Sequence, residues 1–232
     1  PMGVYMRSFF VEDGNRRHYM VFEGVSSNAE LYINGQYAGY TQGSHLQAEF
    51  DISDFVRTGE NTVVVKVRKW CSDSYLEDQD FFRFNGIFRD VYVLSRPEGH
   101  IEDFSVTTDQ NTVSIDLAGG AKISLYDGNQ LLESRECGDH AEFTVENAVL
   151  WNAEKPYLYT LVLERNGEII RRKFGFVTYS ISERGEFLVN GVSVKLKGVN
   201  HHDTHPTNGW CLTDEDMLYD LTQMKKLNIN TI

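Results

Sequence analysis

From Arg16 to Lys197 the apolar residues recur almost everywhere with a period of two, the spacing of strands that bury one face. Val63, Val65 and Val67 alternate with Val64, Lys66 and Arg68. The same alternation runs through Val113, Ile115 and Leu117, then Tyr157, Tyr159, Leu161 and Leu163, and again through Val192, Val194 and Leu196, with Ser193, Lys195 and Lys197 opposite. Asn34-Gly35, Asn166-Gly167 and Asn190-Gly191 each separate two apolar runs, which predicts three tight hairpins whose turns need positive φ.

Breaker and polar residues at 96–99 and 180–185 divide the chain into three segments. Residues 1–97 suit a jelly-roll β-sandwich, and 98–180 hold about seven short strands at the spacing of an immunoglobulin-like β-sandwich. In 181–232 the period changes. A hairpin over 187–197 leads into a His-rich polar stretch, and then Thr213 caps a helix with Asp214, Glu215 and Asp216 in its first turn. Met217, Leu221 and Met224 form its apolar stripe with Leu218 beside them, Lys225 and Lys226 sit at its end, and Asn230 to Ile232 start another strand. This reads as a βαβ unit whose helix face expects further chain to cover it.

Composition then excludes several classes. Lys+Arg number 22 and Asp+Glu 34, a net charge of −12, with no basic patch interleaved with aromatics, so nucleic acid is not an expected partner. No run approaches the roughly 18 apolar residues of a membrane helix and no basic-then-apolar leader opens the chain, so neither membrane insertion nor a membrane partner is expected. Cys71, Cys137 and Cys211 are odd in number, widely spaced and without a CxxC pair, which favours a reducing, cytoplasmic setting.

Two runs carry candidate chemistry. Ser74 to Asp90 places Glu77, Asp78 and Asp80 beside Tyr75, Phe81, Phe82 and Phe84. Carboxylates grip sugar hydroxyls or hard cations such as sodium or magnesium, and rings pack on sugars; a solvated acidic turn neutralised by Arg83 and Arg89 is the plainer alternative. The second run is Gly198-Val199-Asn200-His201-His202-Asp203-Thr204-His205-Pro206. Adjacent His201 and His202 on an extended segment point to opposite faces, so at most His201, Asp203 and His205 could converge, and the spacing argues against zinc. A polar barrel mouth with His202 or Asp203 at a ligand fits better; hydrogen-bonded loop residues are the plain reading. Nucleophile elbows, dinucleotide loops and P-loops are absent. Trp70, Trp151 and Trp210 read as core or domain-interface residues.

These two runs, in this order and about 120 residues apart, together with Tyr32-Ile33-Asn34-Gly35, Gly39-Tyr40-Thr41-Gln42-Gly43, Glu49-Phe50-Asp51-Ile52 and Gly86-Ile87-Phe88-Arg89-Asp90-Val91, resemble glycoside hydrolase family 2, and most closely its β-galactosidases. The resemblance covers essentially the whole chain. It implies a mainly β fold: a jelly roll over 1–97 that lacks its amino-terminal part, an immunoglobulin-like sandwich over 98–180, and over 181–232 an incomplete first βα unit of a (β/α)8 barrel. It also implies that Asp80 contacts the galactosyl hydroxyls and a monovalent cation, and that His202 binds the galactosyl group. Ser26 is a further substrate-binding candidate, standing where the motif usually has Asn or Asp, and His201 stands where Arg is common.

For the parent protein the resemblance implies hydrolysis of terminal β-galactosyl residues of a lactose-like substrate with retention, sodium and magnesium as cofactors, and a homo-oligomer. The two glutamates of a retaining mechanism lie on later barrel strands. The chain by itself is therefore expected to be inactive and to hold neither ion tightly. A non-catalytic carbohydrate-binding module, or a family 2 β-glucuronidase or β-mannosidase fragment, are the alternatives; the capped helix tells against the first and the Leu76 to Asp80 loop against the second.

Overall fold

The computed structural model describes residues 1–77 and 82–232. The chain forms two compact units, one of 1–96 with 200–228 and the other of 97–199 with 229–232.

The first unit contains β1 (Met2–Val11), β2 (Arg17–Phe22), β3 (Val25–Ser26), β4 (Asn28–Ile33), β5 (Gln36–Gln42), β6 (Ala48–Asp51), β7 (Gly59–Arg68), β8 (Gly86–Ile87) and β9 (Val91–Arg96). One sheet has the order β1-β7-β4-β5, a second β6-β2-β9, and β3 pairs with β8. Every ladder is antiparallel. The alternation dictates which side chains go inside. Val65 and Val67 of β7 lie opposite Leu31 and Ala29 of β4, and all four are buried with Ile33, Ile52 and, from the second sheet, Met20 and Phe22. That shared core makes the pair of sheets a sandwich, the jelly roll expected from sequence.

Asn34 and Gly35 turn β4 into β5 at φ 51° and 81°, as a two-residue hairpin requires. Asn34 does more than turn. Its amide donates to the Phe55 carbonyl at 2.9 Å and to Asn61 Oδ1 at 2.8 Å, while its Oδ1 accepts from the Thr62 N–H at 3.0 Å.

The second unit contains β10 (Phe104–Asp109), β11 (Thr112–Leu117), β12 (Ala121–Asp127), β13 (Gln130–Cys137), β14 (His140–Thr144), β15 (Tyr159–Arg165) and β16 (Glu168–Phe174). They form a three-stranded sheet β10-β11-β14 and a four-stranded sheet β13-β12-β15-β16, the immunoglobulin-like sandwich. Val113, Ile115, Ile123, Leu161 and Leu163 are fully buried between them. Asn166-Gly167 turns β15 into β16 as expected.

Beyond it, β17 (Tyr179–Ile181), β18 (Phe187–Val189) and β19 (Val192–Ser193) form a small sheet, with Asn190-Gly191 at its turn. Gly198 and Thr231 then make a parallel bridge, with the helix α1 (Asp214–Lys226) between them in the chain. The Thr213 hydroxyl accepts from the Asp216 N–H at 3.2 Å and the Asp216 carboxylate from the Thr213 N–H at 3.0 Å, the reciprocal cap that the sequence announces. The helix buries none of its residues; Leu218 is 65% exposed.

Three expectations change. The alternation Val192, Val194, Leu196 pairs over β19 alone, and Val192 and Leu196 are exposed because no described layer covers that face. Tyr157 lies before β15 and its hydroxyl turns outward to Asp127. Trp70 is half exposed rather than core, with the Lys69 ammonium and Arg83 guanidinium near its ring.

Candidate functional site

The first unit carries a cavity of about 380 Å³ lined by His45, Leu46, Glu77, Arg89, His201 to Thr204 and Trp210. Its walls come from four stretches far apart in sequence: the β5–β6 loop, the chain after a 3₁₀ turn at Ser72–Tyr75, the end of the β8 segment, and the His-rich stretch. Aromatic packing joins them. The Trp210 indole is buried and stands edge-on to Phe84 at 5.3 Å between ring centroids, tilted on Phe88 at 5.1 Å, and edge-on to His45 at 4.8 Å. Gly209 makes the approach possible. It sits at φ 63°, and a Cβ there would meet the Phe84 ring at 2.9 Å.

Charge within the cavity is mixed. Glu77 and Asp203 oppose Arg89, and three imidazoles stand among them. Burial, and then the Arg89 charge, push the His45 imidazole below its ordinary range, with Glu77 acting the other way and His202 adding to the depression. His201 directs Nε2 to the Asp220 carboxylate at 3.1 Å and Nδ1 toward Asp203 at 3.5 Å. His205 Nδ1 accepts from the N–H groups of Thr207 and Asn208, both at 3.2 Å, so its proton sits on Nε2, 3.8 Å from Asp216.

The sequence-nominated residues are placed differently from one another. His202 is exposed and lines the cavity. Ser26 is buried, its hydroxyl 3.3 Å from that of Ser27, and it lines a neighbouring void of about 20 Å³, room for a water and not for a sugar ring. Asp80 lies outside the described residues. Among the described residues no group of three or more His, Cys, Asp or Glu is arranged to hold a metal ion; Asp80, the residue expected at a cation, is not among them. His201, Asp203 and His205 do not converge as a cluster of ligands, because His201 and His205 reach aspartates of α1.

The sequence alone does not single out His45, and it offers Glu77 only as one carboxylate of an acidic run and Arg89 only as its neutraliser or as part of the Gly86 to Val91 motif. The signal for His45 was its place directly after the Gly39 to Gly43 motif and Ser44. What makes it a wall residue is contact with Trp210, 165 positions later (210 − 45), which no local pattern reports.

Comparison with known proteins agrees with this architecture. Residues 1–97 match the family model for the glycosyl hydrolases family 2 sugar binding domain, 93–176 that for glycosyl hydrolases family 2, and 180–232 that for the family 2 TIM barrel domain. The whole chain is 40% identical over 243 residues to a β-galactosidase of Actinobacillus pleuropneumoniae, covering 24% of that protein, and 38% identical over 247 residues to one of Staphylococcus xylosus, covering 25%. The chain thus spans about a quarter of the length of the curated relatives it matches. Among solved structures, a Ruminococcus gnavus β-glucuronidase superposes with a TM-score of 0.87 at 25% identity, over 98% of this chain and 43% of that one. A Lactobacillus rhamnosus β-glucuronidase gives 0.84 at 26%, over 96% and 43%. No helix among the described residues is long and apolar enough to cross a membrane.

Proposed function

The chain belongs to glycoside hydrolase family 2, and from that premise we propose that it serves a β-galactosidase, helping to bind the terminal galactosyl group of a lactose-like β-galactoside that the whole enzyme hydrolyses with retention. The observation that carries this reading is the 36 to 40% identity to β-galactosidases along its entire length. The cavity suits such a ligand. Carboxylates and imidazoles offer acceptors and donors to sugar hydroxyls, and Trp210 and Leu46 supply apolar wall. In the proposal His202 and Asp80 contact the galactosyl hydroxyls, and Ser26 contributes through a water in its neighbouring void.

The likeness to β-glucuronidase structures makes a uronide the second reading. The charge balance disfavours it, because Arg89 shares the cavity wall with two carboxylates, Glu77 and Asp203, which are unfavourable neighbours for a sugar carboxylate. Hydrolysis of nitrophenyl β-galactoside and β-glucuronide by the full-length protein tests the choice. Turnover of the galactoside, lost on Asp80→Ala, supports the proposal; preference for the glucuronide overturns it.

A further inference from the structure

The His-rich stretch has a second set of contacts that leads away from the cavity. His201 and His205, four residues apart, reach Asp220 and Asp216, four residues apart on α1, at 3.1 and 3.8 Å. Residues at that spacing share one helix face. The two pairs therefore clasp the stretch to α1 at both ends, and between them lie His202, Asp203 and Thr204, all at the cavity wall. Asp203 is itself tied to the clasp, 3.5 Å from His201 Nδ1.

We propose, resting on the reading of this cavity as the galactosyl site, that Asp220 is a positioning residue for it, acting through His201 on His202 and Asp203. An ionised carboxylate only accepts, so it fixes the His201 ring with Nε2–H toward α1. That leaves Nδ1 to face Asp203. The ring therefore stands between the Asp220 and Asp203 carboxylates. Asp220 from α1 and Asp203 from its own stretch flank the ring, and His202, His45, Glu77 and Arg89 line the same cavity. Asp216 and His205 hold the other end. The Thr213 hydrogen bonds, and to a lesser degree the His205 ring opposite, keep the Asp216 carboxyl below the usual carboxylate range.

The test uses the full-length protein and nitrophenyl β-galactoside. Asp220→Asn should raise KM roughly five- to tenfold with kcat within about twofold, the pattern of lost ground-state positioning. Asp220→Glu should restore most of it, which separates positioning from loss of fold. His201→Arg should keep KM low, because a guanidinium donates to both carboxylates, whereas His201→Gln should not. Wild-type KM in Asp220→Asn, or equal behaviour of the two His201 variants, overturns the inference. Should the wild-type protein leave the galactoside untouched, the functional reading has failed instead. Ring spectra of ¹³C-labelled histidine then decide this point alone: the His202 signal shifts in Asp220→Asn if the clasp positions it, and stays if it does not.

Discussion

The Glu77 carboxylate accepts two hydrogen bonds from a single residue, the backbone N–H of Ser44 at 2.6 Å and its hydroxyl at 2.7 Å. Ser44 is buried, so the pair bolts the acidic loop to the turn that presents His45. Charge-assisted bonds of this kind are stronger than neutral ones. Glu77→Ala strands a buried N–H and hydroxyl, and should cost about 1–3 kcal/mol, read as a lowered urea midpoint. Glu77→Gln can still accept from Ser44 through its amide oxygen and should lose less.

This contact also marks where reading a sequence stops. The period of two placed Val65, Val67, Val113, Ile115 and Leu161 correctly inside, because alternation is a local property and burial follows it. The Asn-Gly turns and the Thr213 cap are local too, and all formed as expected. The cavity is a product of contacts between residues 33 to 165 positions apart, such as Ser44 with Glu77 and His45 with Trp210. Exposure of Trp70 and of the 192–196 face failed for a related reason: a pattern shows which face is apolar, not whether another layer meets it.

Trp210 holds that assembly together. Its indole meets Phe84, Phe88 and His45, and truncation to Ala leaves a cavity bounded by those three rings. Loss of a large buried aromatic costs about 3–5 kcal/mol. Trp210→Ala should therefore lower the denaturation midpoint and weaken galactoside binding together, both measurable on one preparation by chemical denaturation and steady-state kinetics.

His45 should make stability depend on pH. Burial and the Arg89 charge depress its pKa in the folded state, so the unfolded chain binds the proton more readily. The contribution is complete above the unfolded value of about 6.5 and is lost as pH falls through the folded one. Between pH 7 and 5 the wild-type protein should lose more stability than His45→Gln, which cannot titrate. Urea melts at the two pH values check the sign, and an equal loss in both proteins would refute it.

His202 separates binding from folding. It is exposed at the cavity wall, flanked by the His201–Asp220 pair that belongs to the clasp on α1. Exposed side chains away from the core usually change stability by no more than about 0.5 kcal/mol when replaced. A ligand hydroxyl that loses its hydrogen-bond partner forfeits about 0.5–1.5 kcal/mol, and more if the partner is charged. His202→Ala should therefore leave the melting temperature in place while raising KM for a β-galactoside several-fold, in contrast to Glu77→Ala, whose first effect is on the fold. A parallel fall in melting temperature would make His202 a structural residue of the loop and remove it from the proposed galactosyl contacts.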